Sequence, residues 1–235
     1  MLRMEYFPYI YNMKKLIMMI TLMMCSMISF SQDIGSQSEL QTSSIFDKSE
    51  PLVYFGLDFY KAKLIGDFGR NDVNKLKKLF IPNCNSIIAS DQEKYDLSKS
   101  FRKDILFDLS PVQNRNDSID TKKLIGYSVG LYLSDVEIKQ EIKSLTFGEY
   151  KDGIGVIFII EYLNKYTRSG MCYIVFFDIS SKNTLMVQEM EAIGGGFGLE
   201  SYWVKVIENI LTDIKMNKYR KWKHDWKKHL KSLSN

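Results

Sequence analysis

Gly126-Tyr127-Ser128-Val129-Gly130 fits G-x-S-x-G, a pattern that exposes a nucleophilic serine on a strained turn between a strand and a helix. Asp178 and His224 follow in the Ser, Asp, His order that such enzymes use, so a small serine hydrolase built on Ser128 is one reading. Against it, the next helix signal starts only at Ser134, and both histidines sit in the basic C-terminal stretch. Ser100-Phe101-Arg102-Lys103 fits S-x-x-K, which would pair a serine with a lysine base, but the companion S-D-N and K-T-G motifs are missing. His224 and His229 are five residues apart, off the i, i+4 spacing that would turn both toward one metal, and no H-E-x-x-H or C-x-x-C occurs. These residues imply no metal and no cofactor. Glu189 and Glu191 alternate on a strand pattern and share a face, either as a carboxylate pair or as part of a solvated sheet surface.

Two further stretches concern binding. Ile193-Gly194-Gly195-Gly196-Phe197-Gly198 precedes a helix and resembles a phosphate loop, which makes Gly194, Gly195, Gly196 and Gly198 candidate ligand contacts. A dinucleotide loop follows a strand of a parallel βαβ unit, whereas this one follows hairpin-like connections, and Glu200 already complements the first-turn amides. The alternative is a sharp turn that seats the last helix through Phe197, Tyr202 and Trp203. From Lys215 onward there are eight Lys or Arg against one Asp, while residues 32–214 carry a net −5. Tyr219, Trp222, Trp226, Leu230 and Leu233 recur at steps of three and four, and Lys218, Arg220, Lys221, Lys223, Lys227 and Lys228 fill the other directions. A basic amphipathic helix of this kind either contacts an anionic envelope surface or partner, or packs its aromatic stripe on its own domain. Nucleic acid is not expected for an exported chain.

The elements that must position these residues follow from periodicity. Met13-Lys14-Lys15, the apolar run from Leu16 to Ile28 and Ser29-Phe30-Ser31 read as a signal peptide over residues 1–31, with translation starting at Met13 as an option. Cys25 offers a lipoprotein alternative, although Met24 before it is larger than a lipobox normally carries. Residues 32–51 are polar and Ser/Gln-rich, a flexible leader, and one domain is expected over 52–235. No later run is apolar and long enough to span a membrane. Strands are expected at 52–60, 104–109, 154–162, 171–179 and 184–193, and helices at 71–80 (stopped by Pro82), 86–94, 134–145 and 199–233. Ser134-Asp135-Val136-Glu137 reads as a capping box. The fold class is α/β (α+β): a mixed sheet ending in an antiparallel three-strand meander, helices packed on it, and a long C-terminal helix. Cys84 and Cys172 could be oxidised in an exported chain, although the apolar strand around Cys172 equally suits a buried thiol.

Phe55-Gly56-Leu57-Asp58-Phe59, Glu93-Lys94-Tyr95-Asp96, Phe176-Phe177-Asp178-Ile179 and Gly195-Gly196-Phe197-Gly198 before Tyr202-Trp203 together resemble a group of uncharacterised exported bacterial envelope proteins. The order of elements is loosely similar to small periplasmic α/β domains of envelope assemblies. The resemblance implies export and assigns no reaction, ligand or residue role. The leading expectation is a non-catalytic exported envelope protein, periplasmic or envelope-associated, acting by binding or assembly. The alternatives are the Ser128 hydrolase and a ligand or anion site at the glycine loop.

Overall fold

The computed structural model describes residues 45–68, 73–128, 130 and 132–233, all within the unit Thr42–Asn235. The expected signal peptide, Cys25 and most of the leader lie outside the described residues. The strands are β1 (Leu52–Asp58), β2 (Lys63–Ile65), β3 (Ile105–Phe107), β4 (Ile125–Gly126), β5 (Ile154–Asn164), β6 (Ser169–Asp178) and β7 (Thr184–Ile193). The helices are α1 (Ile81–Ser90), α2 (Leu97–Phe101), α3 (Ser110–Asn116), α4 (Thr121–Leu124), α5 (Asp135–Ser144), α6 (Leu199–Asp213) and α7 (Tyr219–Leu233).

These strands form one seven-stranded mixed sheet. β5 is its axis. One edge of β5 pairs antiparallel with β6 along its whole length, and β6 pairs antiparallel with β7, the expected meander. The other edge is shared end to end: β1 pairs parallel with residues 154–159 and β2 with residues 162–164. Outside them, β3 pairs with β1 and β4 with β2, again parallel. A β1 pattern broken at Phe59–Ala62 thus becomes two short strands laid along one long one. Gly56 makes the bulge in β1 possible, since its φ is 105° and a Cβ there would sit 2.6 Å from Asn85 Oδ1.

Strand alternation divides the apolar residues into two cores. Tyr54, Phe158, Ile160, Ile174 and Phe176 point to one face, which α1, α2, α6 and α7 cover through Ile88, Phe101, Ile207 and Trp222. Phe55, Ile157, Ile159, Val175 and Phe177 point to the other, covered by Val112 of α3 and Ile138 and Ile142 of α5. The resulting layers are helix, sheet, helix. Helix α5 starts as expected, with Ser134 Oγ accepting from the Glu137 amide at 3.3 Å and Glu137 accepting from the Ser134 amide at 2.9 Å.

Several expectations are corrected. Pro82 does not stop a helix: the helical run continues without a break from Val73 through a π turn at Leu76–Phe80 into α1, and the widened turn lies just ahead of Pro82, which has no amide hydrogen to donate. Ile45 and Phe46, at the end of the expected leader, are only 2% and 6% exposed, and Phe46 packs edge-on against Tyr219 at 5.7 Å. Packing therefore holds the chain from Ile45, ahead of β1. Cys84 and Cys172 are both buried and free, and burial pushes both thiols well above their ordinary range.

Candidate functional site

The serine-hydrolase constellation does not assemble. Ser128 lies exposed on a bend just past β4, two strands out from the carboxyl end of β5, whereas Asp178 pairs with Ile154 at the opposite end of β5. Ten residues of strand separate the two ends, roughly 30 Å at about 3.3 Å per residue. Asp178 is occupied as a turn acceptor, with Ser180 Oγ, Ser181 Oγ and the Ser181 amide each 2.7 Å from its Oδ1. His224 is exposed on α7 beside Asp225 at 3.3 Å. Ser100 is not a nucleophile either. It is 2% exposed, and its Oγ lies 2.8 Å from the Asp96 carbonyl and 3.0 Å from that of Leu211, binding α2 to α6.

Glu189 and Glu191 do share a face, opposite Tyr173 and Met171 of β6, and both are exposed, with Glu191 accepting from the Tyr162 hydroxyl at 2.8 Å. Among the described residues no group of three or more His, Cys, Asp or Glu is arranged to hold a metal.

In the glycine loop, Gly196 and Gly198 take φ of 112° and 83°. The Gly194 amide donates to the Arg168 carbonyl at 2.7 Å and the Gly195 amide to that of Tyr202 at 3.1 Å. A Cβ on Gly194 would lie 2.8 Å from the Tyr202 ring. The loop is therefore the turn that seats α6, and two of its four glycines are tied to backbone acceptors.

The C-terminal basic segment forms one long helical run, α6 and α7, joined by a π turn at Ile214–Lys218. The π turn has a clear cause. The buried residues Ile207, Ile210, Leu211 and Ile214 step by three and four, but the next buried residue is Tyr219, five further on. Widening one turn absorbs the extra residue and keeps Tyr219 and Trp222 on the core face. Trp222 is buried and Trp226 half-buried beside Met186 and Met190 of β7, so the aromatic stripe seats the helix on its own domain. Of the residues expected to make surface contacts, Arg220, Lys221, Lys227 and Lys228 are exposed, while Lys218 and Lys223 are partly covered. Lys218 lies 3.9 Å from Asp213, and Lys223 donates to the Phe46 carbonyl at 3.4 Å. Trp222 is withdrawn from that surface.

What replaces it is a groove of about 640 Å³ lined by Lys48, Lys99, Arg102, Lys103, Lys215 and Arg220, with Asp104 as its one acidic residue. Three segments far apart in sequence build it. Helix α2 is capped by Asp96, whose Oδ1 accepts from the Lys99 amide at 2.8 Å and whose Oδ2 pairs with Lys99 Nζ at 2.6 Å. The helix ends at Arg102 in the left-handed region, φ 56°, which swings its guanidinium over the Tyr219 ring at 4.7 Å. Lys103 is 4% exposed. Its Nζ donates to the Glu50 carbonyl at 2.8 Å, and burial lowers the ammonium from its ordinary range. The π turn brings Lys215 and Met216 to the same rim.

In the sequence, Ser100 and Lys103 carry only a catalytic pattern, and the C-terminal cations form a helix face for an envelope surface or partner. The usable signal was the charge density of Lys99, Arg102 and Lys103.

A second charged cluster, also unforeseen, sits where β1 breaks. Asp58 is 1% exposed, with Oδ2 3.3 Å from Arg115 Nε. Arg115 pairs with the Glu141 carboxylate, donates to the Glu141 carbonyl at 2.8 Å, and lies 4.6 Å from the Tyr60 ring. Lys61 reaches Glu141 at 3.4 Å. Asn85 and Asn116 satisfy the Leu57 carbonyl and, respectively, the Leu57 and Phe59 amides. Burial pushes Asp58 above the usual carboxylate range, and Arg115 offsets only part of this.

Comparison with protein-family models, curated proteins and solved structures finds no match.

Proposed function

We propose that this chain is a non-catalytic binding domain of an exported envelope protein, and that it engages an anionic polymer or surface through the groove at Lys48, Lys99, Arg102, Lys103, Lys215 and Arg220. The observation that carries the reading is the convergence of Lys48, Arg102, Lys215 and Arg220 on one open groove lined by a single acid, with Lys99, paired to Asp96, and the buried Lys103 beside them. Opposed charge at this density attracts a polyanion over about a Debye length and weakens as salt rises. The separation of Ser128 from Asp178 supports the non-catalytic part of the reading. The apolar run from Leu16 to Ile28, with the small residues Ser29 and Ser31, supports export.

Fluorescence anisotropy with labelled dextran sulfate tests the groove. The wild-type domain should bind in low salt, and Arg102→Glu with Arg220→Glu should weaken binding by about tenfold or more, at about 1 kcal/mol per surface cation. Unchanged affinity in the double variant would remove the groove from the account. Fluorophosphonate labelling of Ser128 in folded protein would instead restore the hydrolase reading. Export is tested by N-terminal sequencing of the protein recovered from the envelope fraction, with Gln32 expected as the first residue.

A further inference from the structure

A second concavity, of about 430 Å³, opens at the carboxyl ends of β5 and β7, lined by Lys165, Arg168, Phe197, Leu199, Tyr202 and Trp203. It shares no residue with the basic groove. Its wall is aromatic and fixed: Trp203 stacks on Phe68 at 5.3 Å and meets Tyr202 edge-on at 4.9 Å. Opposite stands Phe197, 99% exposed on a loop whose conformation depends on positive φ at Gly196 and Gly198. A whole phenyl ring held in water beside an aromatic wall leaves space for a flat apolar body between them.

The polar side of the cleft is equally specific. Helix α6, 15 residues long, begins after Gly198 with no side-chain cap, and its first intrahelical bond runs from the Tyr202 amide to the Gly198 carbonyl at 3.1 Å. The amides of its first turn therefore remain available to an anion. Glu200 does not close this end, because its carboxylate is turned toward Asn83 at 3.5 Å. Independently, Trp203 is 2% exposed, yet its indole N–H has no hydrogen-bond partner. Buried donors are nearly always satisfied, so an unpartnered one in a residue that lines the cleft is free to take an acceptor there. Lys165 and Arg168, both exposed on the β5–β6 turn, supply positive charge at the rim.

We infer that this cleft binds a small aromatic carboxylate, its ring between Phe197 and the Tyr202–Trp203 wall and its carboxylate at the free amides of α6 beside Arg168 and Lys165. The aromatic walls select the body, and the helix terminus with two cations selects the charge. Neutral analogues lose the second half of this recognition.

The test uses 2-naphthoate and the neutral 2-naphthamide as probes, read by the indole N–H resonances of the three tryptophans in ¹⁵N-labelled protein. Naphthoate should shift the Trp203 resonance saturably and leave those of Trp222 and Trp226 in place. Naphthamide should bind about tenfold more weakly, the loss expected for a charge-assisted contact. Arg168→Asn, which suits the left-handed backbone at φ 59°, and Lys165→Ala should each weaken naphthoate and leave naphthamide unchanged. An unmoved Trp203 resonance, equal affinity for the two probes, or full naphthoate affinity in both variants would overturn the inference. Arg102→Glu with Arg220→Glu should retain naphthoate binding, so failure here is distinguishable from failure of the basic groove.

Discussion

Two charged regions of this protein use the same side-chain types to opposite ends. Around Asp58, Arg115, Glu141 and Lys61 the signs balance, and the central groups are closed off at the break between β1 and β2. Around Lys48, Arg102, Lys215 and Arg220 they do not balance, and the groove is open to solvent. The balanced cluster is architecture. It anchors α3 and α5 to the sheet where two short strands meet, and the neighbouring Asn85 and Asn116 complete the backbone bonds that the break leaves unmade. Uncompensated charge on an open surface has no such structural use, and it is the basis on which we propose the groove as the binding surface.

The contrast can be broken most forcefully at Arg115. Its side chain is 10% exposed, and Arg115→Met would leave Asp58 charged and unpaired at 1% exposure. A loss of about 3–5 kcal/mol is expected, which chemical denaturation would detect. Trp222→Ala tests whether the aromatic stripe of the basic helix is core: a cost of about 3–5 kcal/mol is expected there, against less than about 0.5 kcal/mol for Lys227→Ala on the solvent side of the same helix. Removing the hydroxyl of the α5 capping box in Ser134→Ala should cost about 1 kcal/mol, in keeping with a cap remote from both charged regions.

The pH dependence has a defined sign. Because burial raises Asp58 in the fold above its unfolded value, its contribution to stability is fully present below the unfolded pKa and is lost as pH rises through the folded one. Asp58→Asn does not titrate at this position. The stability difference between variant and wild type, followed by thermal unfolding from pH 3 to pH 7, should therefore move in favour of the variant as pH increases. A difference independent of pH would mean that Arg115 compensates Asp58 completely.

Much of the fold was legible because it is local. Alternating apolar strands at 154–162, 171–179 and 184–193 with short polar links identify the meander, and Ser134 with Glu137 identifies the start of α5. The parallel half of the sheet was only partly legible: β1 and β3 lie within the strands expected at 52–60 and 104–109, but β2 and β4, three and two residues long, become strands only because β5 offers an edge to β2 and β2 offers one to β4. Both π turns depend on register: at Leu76–Phe80 the turn reconciles a helix with Pro82, and at Ile214–Lys218 it absorbs a five-residue step between core positions.

The candidate site was half legible for the same reason. The cations of the last helix stand out in sequence, but their partners at Lys48 and Lys99 to Lys103 lie more than a hundred residues away and reach the groove only through packing. Trp222, which the amphipathic pattern offered to a surface or to the core, belongs to the core because β7 lies beneath it.

The most direct test of the groove as the binding surface is the salt dependence of dextran sulfate binding by the wild-type domain and by Arg102→Glu with Arg220→Glu. Counterion release requires log Kd to rise with log salt in proportion to the cations engaged. The account predicts a slope shallower by about two in the variant, one per lost contact, along with weaker binding at every salt concentration. Identical slopes and affinities for the two proteins would contradict it.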